Sequence, residues 1–152
     1  MPYRLCLNVT LACLTAPLLA LGGTLAQAAD IRVLLIGPRS GEVHAALMPV
    51  GAQQWQAEPL QTIRANAQLR FTQVPPGDYA VQLFVDSNGN GLLDLSPRGR
   101  PREPVGFSND PSLVNGVPDI QAAAFKHGDQ PLELIIRLRQ PPGAAAGSRT
   151  TR

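Results

Sequence analysis

The sequence predicts an all-β chain folded as a single Ig-like or prealbumin-like antiparallel β-sandwich with one long loop. Three observations carry that expectation. Short apolar stretches alternate with period two, and 15 prolines and 14 glycines among 152 residues punctuate them. No long stretch shows helical periodicity.

Taken in chain order, "DIRVLLIG" (residues 30–37) is β-branched and apolar. It reads as a strand with both faces mostly covered that stops at Gly37-Pro38. "PRSGE" is a turn, and "VHAALMP" (residues 43–49) reads as the returning strand of a hairpin. The next sixteen residues lack a clean period, and Trp55 among them reads as a core plug under a loop. "AQLRFTQV" then alternates, and Pro75-Pro76-Gly77-Asp78 makes a tight turn, since proline fixes one dihedral and glycine supplies a positive one. Beyond it Tyr79, Val81, Leu83 and Val85 point one way and Ala80, Gln82 and Phe84 the other, which predicts a second hairpin. "VPDIQAAAFKHG" suits one or two helical turns capped by Asp119. Leu132, Leu134, Ile136 and Leu138 form the last alternation. Residues 91–119 are the anomaly, because a structureless loop of that length in a small domain is functional or is held by something.

The ends bound the compartment. Residues 1–28 carry Arg4, a long apolar run and then "AQA" before "AD", the order of a secretory signal peptide cut after Ala28. A retained anchor is the alternative, but Pro17 and Gly22-Gly23 interrupt the run. "TLAC" ahead of Cys13 comes too early for a lipoprotein signal, with more apolar chain after it. The expected organisation is a signal (1–28), a sandwich domain (29–140) and a disordered tail (141–152), located in the periplasm or secreted, with no membrane span after cleavage. Cys6 and Cys13 both leave with the signal, so the mature chain has no disulfide, thiol nucleophile or thiolate metal site. A formal charge of +2, with "RGRPR" the one dense basic run, makes nucleic acid an unsuited partner.

"VDSNGNGLLD" (residues 85–94) carries the candidate chemistry. Calcium wants six to eight oxygens, and a short loop delivers them when alternate side chains turn inward around a glycine. With Asp86 as position one, Asn88 is three, Asn90 five, Gly91 six, the Leu92 carbonyl seven and Asp94 nine, as in an EF-hand loop. Position twelve is Pro97 where that loop has glutamate, so Glu103 is the candidate to close the shell, with Asp110 also near. A pair between Glu103 and Arg100 or Arg102 is the alternative. Two neutral amides predict a weak, structural calcium site. The competing reading is a plain turn, since Asn-Gly and Gly-Asn favour hairpin turns. His44 and His127 lack "HExxH" spacing and read as solvated or hydrogen-bonded surface residues. No "GxSxG" elbow surrounds Ser108.

The run "PPGDYAVQLFVDSNGNGLLD", followed by "GRPREPVGFSND" and then "AAAF", resembles an exported bacterial family known as domain of unknown function 2141. The resemblance spans about residues 31–138 and rests on the Gly77-Asp78-Tyr79-Ala80 strand, the 86–94 loop and the Gly99–Asn109 segment. It implies a compact β-sandwich without an assigned activity. The family often has histidine just before the loop aspartate, where this chain has Val85, which argues against a histidine-based role for the loop. The "PPGDYAV" strand is also similar to accessory prealbumin-like modules.

The expectation is therefore a non-catalytic envelope module that binds a protein or glycan partner. Its binding surface is Phe107, Ser108 and Asn109, with Phe107 anchoring the segment to the sandwich. The alternative is a small hydrolase using Ser108, or Asp94 with Glu103.

Overall fold

The computed structural model describes residues 27–52, 54–113 and 117–140. Apart from Gln27 and Ala28, the expected signal lies outside the described residues, and so does the expected tail. The described strands are β1 (Ala29–Ile36), β2 (Glu42–Pro49), β3 (Gln61–Ala65), β4 (Leu69–Val74), β5 (Gly77–Asp86), β6 (Val105–Phe107), β7 (Phe125–His127) and β8 (Leu132–Arg137). They form two sheets, one ordered β4-β1-β8 and the other β3-β2-β5-β6, with β7 also paired to β5. The chain is all-β and sandwich-like. No α-helix occurs among the described residues, only 3₁₀ turns at Val50–Ala52 and Gln121–Ala123.

The core follows the alternation. Ile31 and Val33 of β1, Phe71 of β4 and Ile136 of β8 face Leu47 of β2 and Val81 of β5, and all are at most 3% exposed. A second, smaller core lies on the other face of the five-stranded sheet, where Met48 and Ala80 meet Phe107, Ile120 and Ala123. Trp55 plugs it from the side: its ring centroid is 5.3 Å from that of Phe107 and its indole N–H donates to the Pro118 carbonyl at 2.8 Å.

Neither expected hairpin forms. β1 pairs with β4 and β8 while β2 pairs with β3 and β5, so β1 and β2 stand in different sheets. β4 and β5 are likewise divided, β4 on β1 and β5 on β2. Pro75 and Pro76 have no N–H to extend a ladder, and the chain crosses between sheets there. The expected antiparallel arrangement is also broken once, because β1 and β8 run parallel from Ile31↔Leu132 to Ile36↔Arg137. Nor is β1 covered on both faces: Leu34 and Ile36 are 42% and 46% exposed on the outer side of the smaller sheet.

The segment expected to be helical gives a single 3₁₀ turn, whose opening Gln121 N–H donates to Asp119. The described part of the long loop, residues 91–113 and 117–119, is organised rather than structureless. It contains a hairpin-like finger over residues 92–102 and then β6.

Candidate functional site

The 86–94 loop leaves the end of β5, the strand at the middle of the larger sheet. Asp86 is the last residue of that strand and is 4% exposed. Its Oδ1 accepts the Gly89 N–H and its Oδ2 the Gly91 N–H, both at 2.7 Å. Asn88 Oδ1 then accepts the Asn90 N–H at 3.0 Å, and Asn90 Oδ1 the Leu92 N–H at 2.8 Å. The two asparagines thus make consecutive turns in which each side chain bonds the backbone two residues on, while Asp86 reaches three and five residues on. Gly89 and Gly91 take φ of 77° and 76°, the left-handed region that lets the chain curl this tightly. Asn88 Nδ2 donates to Asp94 Oδ2 at 2.6 Å, and Asn90 Nδ2 lies 3.4 Å from both Asp94 oxygens. The structure thus brings Asn88, Asn90 and Asp94 together, over a backbone gathered by Asp86.

Glu103 reaches this loop from below. Its Oε1 accepts the Ser87 N–H at 2.7 Å and its Oε2 the Asp94 N–H at 3.3 Å, in a setting 4% exposed. It ties the two ends of the loop instead of pairing with Arg100 or Arg102. Asp110 is placed elsewhere, bonded to the Arg139 guanidinium at 2.7 Å.

A histidine does stand beside the loop aspartate, supplied by the neighbouring strand. His44 Nε2 lies 3.8 Å from Asp86 Oδ2 and 3.1 Å from Glu42 Oε2, and the ring lies against Phe84 with centroids 4.8 Å apart. The β2–β5 register puts it there, setting Glu42 opposite Asp86 and His44 opposite Phe84. Neither histidine is the surface residue that its isolation in sequence suggests. His44 is 9% exposed, and His127 is 4% exposed, with Nε2 3.2 Å from the Ala29 and Val74 carbonyls. A carboxylate at a strand end meets the His44 ring, and two carbonyls meet His127 Nε2, while the buried His127 Nδ1 has no hydrogen-bond partner among the described residues.

Burial pushes the Asp86 carboxyl up, but the N–H groups of Gly91, Gly89 and Asn90, with the His44 charge, together hold it below the usual 3.8. A carboxyl depressed on folding stabilises the fold fully above its unfolded pKa, and that contribution disappears as pH falls through the lower folded value. Acid unfolding should therefore steepen below about pH 4 in the parent and flatten there in Asp86→Asn. Equal acid limbs in thermal melts of the two proteins would contradict this assignment.

Ser108 is 1% exposed, its hydroxyl donating to the Ala123 carbonyl at 2.5 Å and accepting the Val81 N–H at 2.9 Å. Asn109 Nδ2 donates to the Ala124 carbonyl at 2.5 Å, and Phe107 is buried against Trp55. These three residues stitch the 3₁₀ turn at Gln121–Ala123 onto β5. A groove of about 370 Å³ opens nearby, its walls including His44, Arg64, Gln82, Phe84 and Leu93. Asp94, Glu103 and Ser108 are not among its lining residues. A more open polar hollow sits over the loop, between Glu42, Arg64 and residues 86–91.

A family model described as "Uncharacterized protein conserved in bacteria (DUF2141)" matches residues 31–134, from the first residues of β1 into β8. The chain belongs to this family. The match takes in both sheets, the 86–94 loop, the finger and Glu103, so these features lie within the domain that defines the family. No curated protein and no solved structure matches the chain. No helix of the described residues is long and apolar enough to cross a membrane.

Proposed function

We propose that this chain is an exported, non-catalytic binding or adaptor module of the bacterial envelope, an Ig-like or prealbumin-like sandwich whose 86–94 loop takes one calcium ion. One observation carries the reading: consecutive Asx turns orient Asn88, Asn90 and Asp94 toward one another around two left-handed glycines, next to the buried Asp86. Each carboxylate oxygen of Asp86 has a second lone pair beyond the N–H it accepts, and the Leu92 carbonyl follows the Asn90 turn. A plain two-residue hairpin turn needs neither Asp86 nor Asp94.

The ion would displace the asparagine amide groups from Asp94 and draw their carbonyl oxygens inward. With two carboxylates and two neutral amides, and with Arg64 lining the same hollow, affinity falls at the weak end, about 10⁻⁴–10⁻³ M. Calcium then pins the loop and the surface above it, while the groove beside His44 and Phe84 is where a protein or glycan partner would bind.

Thermal unfolding in EDTA and in millimolar calcium tests the reading. A ligand that binds the folded state alone stabilises it according to its excess over the dissociation constant, so at this affinity about 10 mM calcium adds about 1.4–2.7 kcal/mol. The parent midpoint should rise with calcium, and Asp94→Asn, which keeps a hydrogen-bond acceptor but removes the charge, should abolish most of the rise. Identical parent midpoints with and without calcium would leave the loop as a turn and end the proposal.

A further inference from the structure

The one dense basic run is not absorbed by the calcium loop, although the loop leads directly into it. Residues 92–102 form a finger: Arg102 N–H donates to the Asp94 carbonyl at 2.8 Å, Leu95 bridges Pro101 antiparallel, and Ser96 N–H donates to the Arg100 carbonyl at 2.8 Å. A turn closes its end, with Gly99 N–H on the Ser96 carbonyl at 2.8 Å. Leu92 and Leu95 are 68% and 52% exposed, and Arg98, Arg100 and Arg102 are exposed as well. Among the described residues none of the three guanidiniums forms an ion pair. The neighbouring acids are already committed, Asp94 to Asn88 and Asn90, and Glu103 to backbone N–H groups.

Exposed leucine beside unpaired arginine is the side-chain pairing that meets a surface with anionic groups over an apolar layer. In an antiparallel ladder Leu95 and Pro101 share one face while Arg100 and Arg102 share the other. Leu92 precedes the ladder at the base of the finger, and the finger is only two strands wide, so long arginine side chains can reach round its edges toward the leucines. We propose that this finger docks the protein on an anionic phospholipid bilayer, its arginines on headgroup phosphates and Leu92 and Leu95 at the edge of the acyl region. Lipid suits it better than an acidic protein. Eleven residues are about half of the roughly 20–30 that each side of a standard protein interface uses, whereas a bilayer needs only a few inserted side chains and a basic cluster. This inference does not rest on calcium binding.

All eight described strands lie within residues 27–152, a span that omits the apolar run of residues 1–26. That chain would be sedimented with vesicles of neutral phosphatidylcholine and with vesicles in which a quarter of the lipid is phosphatidylglycerol, at low salt, in EDTA and again in calcium. The parent should partition onto the anionic vesicles only. Each arginine contributes about fivefold, so Arg98→Gln/Arg100→Gln/Arg102→Gln should lose about a hundredfold. Leu92→Ser/Leu95→Ser should also weaken binding, with both variants melting as the parent does in EDTA, where no ion occupies the loop, since these side chains are exposed. No parent binding in either buffer, equal binding to neutral vesicles, or unchanged binding by the arginine variant would overturn the proposal. So would retention on immobilised polyglutamate that matches vesicle binding and is unaffected by the leucine changes. A failure here leaves the calcium shift of the parent intact, so the two readings stand or fall separately.

Discussion

Gly41→Ala should destabilise the fold by about 3 kcal/mol or more, because it combines backbone overlap with an unfavourable dihedral. Gly41 ends the turn between β1 and β2 with φ of 133°. A Cβ there would stand 2.0 Å from the Asp86 carbonyl oxygen and 2.8 Å from its carbonyl carbon. These are backbone atoms of the central strand, and no side-chain rotation relieves them. The strands must separate just where Glu42 pairs with Asp86, which moves the loop aspartate as well. Gly51→Ala is the control, since a Cβ at Gly51 meets nothing within 4 Å and should change stability by less than about 0.5 kcal/mol. Urea unfolding midpoints compare the pair. A Gly41→Ala protein as stable as Gly51→Ala would show that β2 and β5 do not approach this closely.

The reason that pairing was hard to read lies in what alternation encodes. Tyr79, Val81, Leu83 and Val85 alternate strictly, and each is buried in the main core as the pattern requires. Period two fixes which face a residue takes and is silent on which strand lies beside it. The chain neighbours β4 and β5 both turn apolar faces to one core, which is equally true of hairpin partners with a shared face and of strands in opposed sheets. Only the missing N–H groups of Pro75 and Pro76 pointed to the second case. β3 escaped notice for another reason: as an edge strand it packs only Ile63 and Ala65 against the core, too few apolar positions to reveal a period.

The loop was more legible than its surroundings. Spacing alone placed Asp86, Asn88, Asn90 and Asp94 in one constellation, because Asx side chains act on backbone within a few residues. His44 comes from another strand through the β2–β5 register and has no local signature. The long-range partners of Ser108 and Asn109 likewise have no local signature. The Ser108 hydroxyl donates to the Ala123 carbonyl and Asn109 Nδ2 to the Ala124 carbonyl, while Asn109 itself stays exposed.

Glu103→Ala should cost about 2–4 kcal/mol, since a charged acceptor is lost from two backbone donors in a nearly solvent-free position. Ser87 and Asp94 bracket the loop, so one carboxylate closes it: the 2.7 Å bond to Ser87 is the stronger and the 3.3 Å bond to Asp94 the weaker. Glu103→Gln keeps one acceptor oxygen for Ser87 but sets an amide N–H against that of Asp94, and its loss should fall between parent and alanine. The same variant separates two roles for the residue. If Glu103 holds the loop ends, calcium still raises the Glu103→Gln midpoint, at higher calcium than the parent needs, while Asp94→Asn has lost the response. If Glu103 is itself a ligand, the two variants lose the calcium response together. Its bonds reach outward to the ends of the loop, which favours the first result. A shared loss would instead require the carboxylate to turn from Ser87 and Asp94 toward the ion.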